Sequence, residues 1–220
     1  MGRARAAVAK GAVGADMPIE LLHSIGERLR GRDPHVVQRD EARRAAVAMI
    51  LAPGGGELNV LLIRRAEHEG DPWSGHMAFP GGHRDRDDAT LVDTAIRETR
   101  EEVGIDLGRR GELVSRLDDV QAHARGADLD MVVTPYLFAL DRTRPTSIDR
   151  SEVAEATWFP LRVFRDERFH GTTPISRGDV RFDFTAFLYE GNAVWGMTYR
   201  MIRDFLRAAS LEHETLTGAL

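Results

Sequence analysis

Glu98, Glu101 and Glu102 stand three and four residues apart in Arg97-Glu98-Thr99-Arg100-Glu101-Glu102, so all three carboxylates share one face if the segment is helical. Like charges gathered this way repel, and near a helix C-terminus the backbone dipole opposes them further. Arg97 and Arg100 are sufficient partners if the face is merely solvated, the ordinary fate of a charge run on a helix. The context upstream points elsewhere. Pro80-Gly81-Gly82 makes a turn that can bring backbone carbonyls and the helix face around one pocket. Carboxylates, carbonyl oxygens and water are hard ligands suited to Mg²⁺ or Mn²⁺, ions that keep several waters for substrate phosphates. Such an ion bridges phosphate oxygens and acidifies a bound water, while a free carboxylate takes that water's proton. The chemistry implied is hydrolysis of a phosphoanhydride.

The elements that must position these groups follow from periodicity. Leu91, Ala95, Ile96 and Val103 mark a helix from Thr90 to Val103, capped by Asp88 or Thr90 and ended by Gly104. Upstream, Ala45 to Leu51 and Leu58 to Ile63 flank Pro53-Gly54-Gly55-Gly56 and form paired strands. Glu67 to Gly75 is a loop leading to a short strand at Met77 to Phe79. Further strands are expected at Leu113 to Leu117, Met131 to Leu140, Ala156 to Phe159 and Val180 to Tyr189, with a turn at Glu190-Gly191-Asn192. Helices are expected from Ile19 to Arg30 and from about Val194 to Ala209. The fold class is α/β (α+β), a mixed β-sheet between helices. Residues 17–220 are expected to form one domain, after a flexible tail at 1–16.

Composition narrows the chemistry. The 220 residues contain no cysteine, which removes thiolate nucleophiles, disulfides and cysteine zinc sites and fits a reducing, cytoplasmic setting. A net charge of −5 argues against broad attraction to nucleic acid or an anionic membrane. An anionic substrate must then be met by local cations or a metal.

The segment resembles the Nudix box, in which a glycine turn precedes a helix carrying Arg-Glu, two further positions, Glu-Glu, one residue, Gly and an aliphatic residue. Arg97 through Ile105 fits that second half throughout. In the first half Ala89 stands where the box usually has glutamate, Asp88 is the nearest acid, and Gly82 sits one residue early, as if one residue were inserted. A narrower resemblance to coenzyme A pyrophosphatases rests on Leu61-Leu62-Ile63-Arg64-Arg65-Ala66, Gly75, Phe79-Pro80-Gly81-Gly82 and Trp195-Gly196-Met197-Thr198. It departs at Asp71-Pro72-Trp73, where a basic residue is expected.

The resemblance implies an α/β/α sandwich, a divalent ion and a nucleotide-type small-molecule substrate, with a homodimer as the family expectation. It implies Glu98, Glu101 and Glu102 as metal ligands, Glu98 doubling as base, Arg97 holding Glu98, and the Gly81 carbonyl as a further ligand. Glu152 or Glu155 is expected to complete the site from outside the helix. Outside the box, Arg64 or Arg65 could fork onto substrate phosphates. Trp73 could stack on an adenine, though an aromatic packed on the core is the simpler reading. His76 and His123 could meet phosphate, or serve as ordinary histidines. The function expected is cleavage of coenzyme A or acyl-coenzyme A to 3′,5′-ADP and a phosphopantetheine, with NADH, ADP-ribose or another nucleotide as the alternative. A nucleotide-sensing module that does not cleave is the alternative of another class, against which the intact glutamate set argues. A scaffold with an accidental acidic helix leaves the glycine and glutamate spacing unexplained.

Overall fold

The computed structural model describes residues 17–69, 73–124, 127–177 and 180–211, so the tail expected at 1–16 lies outside the described residues. In chain order come α1 (Met17–Leu29), β1 (Arg43–Gly54), β2 (Glu57–Arg65), β3 (Met77–Ala78), β4 (Gly81–His83), α2 (Leu91–Val103) and α3 (Leu107–Arg110). Next are β5 (Glu112–Arg116), β6 (Val120–Ala124), β7 (Ala127–Ala139) and β8 (Val153–Pro160). Two short 3₁₀ turns lead to β9 (His170–Arg177), β10 (Val180–Tyr189), β11 (Asn192–Trp195) and α4 (Gly196–Ala208).

An eight-stranded sheet runs β3-β2-β1-β7-β5, with β4 paired to β1, β6 to β7 and β8 to β2. It is mixed, because β1 and β7 run parallel while β1 and β2 form the expected antiparallel hairpin. Alternation along the central strands divides the core. Ala45, Met49 and Leu51 of β1 and Leu58, Val60 and Leu62 of β2 face one cluster, shared with Ile25 and Leu29 of α1 and Met201 and Phe205 of α4. Ala46, Ala48, Ile50 and Ala52 of β1 and Leu61 and Ile63 of β2 face the other, shared with Ala95 and Val103 of α2. Helices therefore cover both faces. Central strands buried on two sides read as continuous apolar runs, which is why Leu58 to Ile63 stood out in the sequence.

A separate three-stranded sheet, β11-β10-β9, was not anticipated as a unit. Its middle strand, Val180–Tyr189, matches the expected span, but its partner β9 reads His-Gly-Thr-Thr-Pro-Ile-Ser-Arg, with no apolar alternation. Pro174 is compatible with a strand there because β9 is an edge strand. The short strands β4, β6 and β11 and the single-turn α3 likewise lie below what periodicity resolves. Among the described residues, no helix is long and apolar enough to cross a membrane.

Candidate active site

The local chemistry of α2 fixes where its acids point. Thr90 is the N-cap: its hydroxyl accepts the Asp93 N–H at 3.2 Å, and the Asp93 carboxylate accepts the Thr90 N–H at 2.8 Å, a reciprocal capping box. Gly104 ends the helix at φ 72°, donating its N–H to the Arg100 carbonyl at 3.0 Å. With Thr90 as cap, Asp88 is available for another task. It is buried, and takes the Arg97 guanidinium through Nε at 3.0 Å and Nη2 at 2.9 Å, the Thr94 hydroxyl at 2.9 Å and the Asp85 N–H at 2.9 Å. Arg97 above all holds the Asp88 carboxyl far below the usual carboxylate range, and Asp88 in turn raises Arg97.

Arg97 also reaches Glu98 at 2.8 Å, Glu101 at 3.0 Å and the His83 carbonyl at 3.1 Å. One guanidinium thus ties the end of β4, the cap segment and two helix acids together. Glu98 is held by an ion pair with its neighbour, the geometry the sequence reading gave Arg97. The Glu101 carboxylate is half exposed and turns to Arg97.

Glu102 lies deepest. It is 2% exposed, and its Oε2 accepts the Gly81 N–H at 2.8 Å. Gly81 sits at φ 151°, and a Cβ there would stand 2.3 Å from the Ala46 carbonyl oxygen, so only glycine allows β4 this close to β1. At Gly82 a Cβ would stand 2.6 Å from the Glu98 carboxyl carbon. Both glycines are consequences of close approach, one to backbone and one to a functional carboxylate.

Glu98, Glu102 and Glu152 each present a carboxylate oxygen within 4.8 Å of the others. Glu152 arrives on the turn before β8, where its carbonyl accepts the Ala66 N–H at 2.8 Å and anchors that turn to the end of β2. Burial, followed by the charges of Glu98 and Glu152 and set against the Gly81 N–H and Arg65, pushes the Glu102 carboxyl up to about 8. Burial also raises Glu98, against the pull of Arg97. Three convergent carboxylates, one of them buried and driven toward protonation, form a hard-oxygen set short of positive charge, and a divalent cation fits that deficit.

Arg64 and Arg65 part company. Arg64 pairs with Glu155 at 2.6 Å, both exposed, so neither joins the acid cluster. As strand neighbours Arg64 and Arg65 face opposite ways, and a register shift in the β2–β8 pairing, with Ala154 the extra residue on β8, falls beside them. Arg65 lines a pocket of about 160 Å³ together with Trp73, His76, Gly81, Gly82 and Trp195. Gly81 and Gly82 form both the floor of this pocket and the contact surface of Glu102 and Glu98, so pocket and acids meet across them. Trp73 is partly buried against the main core while lining the pocket. His76 lies against the Trp195 ring at 4.4 Å between centroids. The side chain of His123 lies outside the described residues.

His83 was not singled out in the sequence. It lines the pocket, lends its carbonyl to Arg97, and has its imidazole pKa lowered by burial, then by Arg43 and Arg65. Its position directly after the Gly-Gly turn was the available signal. For Glu152 sequence reasoning had a pair of candidates; only three-dimensional pairing separates it from Glu155.

The NUDIX domain family matches residues 42–175. An uncharacterized Nudix hydrolase NudL of Yersinia pestis is 32% identical over 175 residues, which cover 77% of this chain and 81% of that protein. An uncharacterized Schizosaccharomyces pombe protein is 35% identical over 146 residues, which cover 58% of this chain and only 44% of that protein's length. Among solved structures, a MutT/nudix family protein from Enterococcus faecalis shares the fold with a TM-score of 0.52 at 20% identity, over 86% of this chain and 74% of that one. The chain belongs to the Nudix family. Its domain and its Nudix hydrolase relatives indicate a pyrophosphohydrolase, a class that generally requires a divalent metal ion.

Proposed function

We propose that this chain hydrolyses the phosphoanhydride of coenzyme A or acyl-coenzyme A, giving 3′,5′-ADP and a phosphopantetheine, with Mg²⁺ or Mn²⁺ held at Glu98, Glu102 and Glu152. The observation that carries the chemistry is the meeting of those three carboxylates beside Gly81 and Gly82, which line a pocket of mixed apolar and basic side chains. Coenzyme A as substrate is supported by the Leu61 to Ala66 and Phe79 to Gly82 resemblance and by the pocket's composition, in which Val47, Met77, Phe79 and Met197 accompany one arginine.

A divalent ion held by Glu98, Glu102 and Glu152 would supply charge stabilisation to the phosphates and a more acidic water. The remaining work belongs to the protein. Glu98, its carboxylate held by Arg97, receives the proton of the attacking water as the P–O bond forms and the anhydride P–O bond breaks. Arg65 offers its guanidinium fork to the diphosphate at the pocket wall. Glu101 and the Gly81 carbonyl are proposed as outer members of the metal set. Trp73 supplies an aromatic wall for the nucleobase. NADH, ADP-ribose or another nucleotide forms the second reading, favoured by two indole rings, Trp73 and Trp195, at the pocket.

The test is hydrolysis of coenzyme A, acetyl-coenzyme A, NADH, ADP-ribose and nucleoside triphosphates, with Mg²⁺ or Mn²⁺ and with chelator. Metal-dependent release of 3′,5′-ADP is expected. Cleavage of another member alone transfers the substrate assignment to it; binding of the panel without cleavage by folded, metal-loaded protein makes the chain a nucleotide sensor.

A further inference from the structure

We infer that His68 is a positioning residue of the metal centre: its imidazole fixes the tilt of the Ser151–Glu152 peptide, and through it the direction from which the Glu152 carboxylate meets Glu98 and Glu102. The inference rests on the reading above that these three carboxylates hold the ion, and adds to it the residue that aims the third of them.

The three acids are not aimed in the same way. Glu98 is held by Arg97 at 2.8 Å, and Glu102 by the Gly81 N–H at 2.8 Å. Both stand on α2, whose helical spacing sets their common face. Glu152 is exposed, and among the described residues nothing donates a hydrogen bond to its carboxylate. An exposed glutamate without a donor keeps its rotamer freedom, so the backbone beneath it decides where the carboxylate can reach.

That backbone is pinned from three directions. The Asp149 N–H donates to the Glu102 carbonyl at 3.0 Å, and the Glu152 N–H donates to the Asp149 carbonyl at 3.1 Å. Two hydrogen bonds thus lead from the backbone of one acid to the backbone of the other. The Glu152 carbonyl accepts the Ala66 N–H at 2.8 Å. The third support is a side chain: His68 Nε2 lies 2.7 Å from the Ser151 carbonyl oxygen. A carbonyl oxygen only accepts, so the ring nitrogen facing it carries its proton. The Ser151 carbonyl and the Glu152 N–H belong to one planar peptide unit, and His68 and the Asp149 carbonyl grip its two polar ends.

His68 is itself held in place. Its N–H donates to the Ser74 hydroxyl at 2.5 Å, and that hydroxyl lies 3.1 Å from the His68 carbonyl. Ser74 therefore ties His68 to its own segment, and what the imidazole adds is a bond across to the turn that carries Glu152.

The experiment is Mn²⁺ binding by electron paramagnetic resonance on the wild type, His68→Leu, His68→Gln, Glu152→Gln and the His68→Leu/Glu152→Gln double variant, with metal-free thermal unfolding of each. His68→Leu should weaken Mn²⁺ binding by about three- to fivefold, less than the roughly 10- to 100-fold typical of a partner bonded directly to a ligand. Glutamine returns an amide N–H near the position of Nε2, so His68→Gln should stay within about twofold of the wild type. In the Glu152→Gln background His68→Leu should change binding by less than about 1.5-fold, because it acts only through Glu152. Equal binding by the wild type and His68→Leu, or a loss of the same size with and without Glu152, overturns the positioning role and leaves the metal centre standing. A loss that His68→Gln shares, or that follows a lowered metal-free melting temperature, also overturns it by making His68 a general support of the fold. Mn²⁺ binding that Glu152→Gln does not alter overturns the metal-centre reading and this inference together.

Discussion

Two buried acid clusters in this molecule have opposite charge balance. Asp119, 3% exposed, receives Arg116 at 2.7 Å, the Thr134 hydroxyl at 2.7 Å and the Val37 N–H at 3.1 Å, with Arg44 at 3.5 Å. Its neighbour Asp118 pairs with Arg32 and accepts the His35 N–H at 2.6 Å. Together they pin the segment between α1 and β1 to the β5–β6 turn, and each carboxylate meets a guanidinium. Glu102 is equally buried but meets one backbone N–H and two more carboxylates. Arginine-satisfied acids hold structure, whereas acids left short of positive charge await a cation. Asp88 and Arg97 form the structural half of the candidate site, a satisfied pair beside three carboxylates of which Glu98 shares the same guanidinium and Glu102 takes a backbone N–H instead.

Substitution should separate the two kinds. Glu98→Gln or Glu102→Gln should lower metal-dependent turnover by at least roughly a thousandfold while thermal stability holds or rises, because repulsion is relieved. Turnover near wild type in either variant removes the assigned centre. Asp119→Asn should do the reverse, costing about 3 kcal/mol in denaturant unfolding because Arg44 and Arg116 lose a buried partner, with kcat per folded molecule retained. Smaller again is Gly82→Ala, whose methyl group displaces the Glu98 carboxylate. A fall in kcat of roughly ten- to a hundredfold is expected, with kcat/KM falling in step rather than KM alone.

The subtlest contrast is in pH. The folded-state pKa of Glu102 is raised from 4.5 to about 8, so the folded protein binds this proton more tightly than the unfolded chain does. Its contribution to stability is complete below about 4.5 and is lost as pH rises toward about 8. Asp88 runs the other way: its lowered pKa contributes stability that is present above the ordinary aspartate range and lost only in strong acid. Metal-free protein titrated from pH 5 to 9 should therefore lose stability with rising pH, and Glu102→Gln should flatten that slope. An identical slope in the variant assigns the effect to other groups.

Much of this site was legible because its residues are adjacent in sequence. The α2 carboxylates share a face by helical spacing alone, and the Gly81-Gly82 turn announced a close approach. The sandwich was legible because β1 and β2 are buried on both sides and carry unbroken apolar runs. Glu152 was legible only as one of two candidates, since cross-strand pairing takes Glu155 to Arg64 while Glu152 meets the α2 acids from the turn before β8, and such pairing is a tertiary property. The role of Asp88 was hidden behind its chemical suitability as a cap; Thr90 won that position through its reciprocal bond with Asp93. The small sheet escaped notice because β9 is polar and its partners form by packing rather than by pattern. Arg64 and Arg65 were indistinguishable by type; as neighbours on one strand they face opposite ways, Arg64 to its cross-strand partner Glu155 and Arg65 to the pocket.

The most direct measurement is a Mn²⁺ titration followed by electron paramagnetic resonance on the wild type, Glu152→Gln and Glu155→Gln. Both acids are on the same segment, and only Glu152 belongs to the trio. The wild type should bind Mn²⁺, Glu152→Gln should weaken that binding by roughly tenfold through loss of one charged oxygen ligand, and Glu155→Gln should match the wild type. Equal binding by the wild type and Glu152→Gln, or a loss confined to Glu155→Gln, would contradict the placement of the metal centre at Glu98, Glu102 and Glu152.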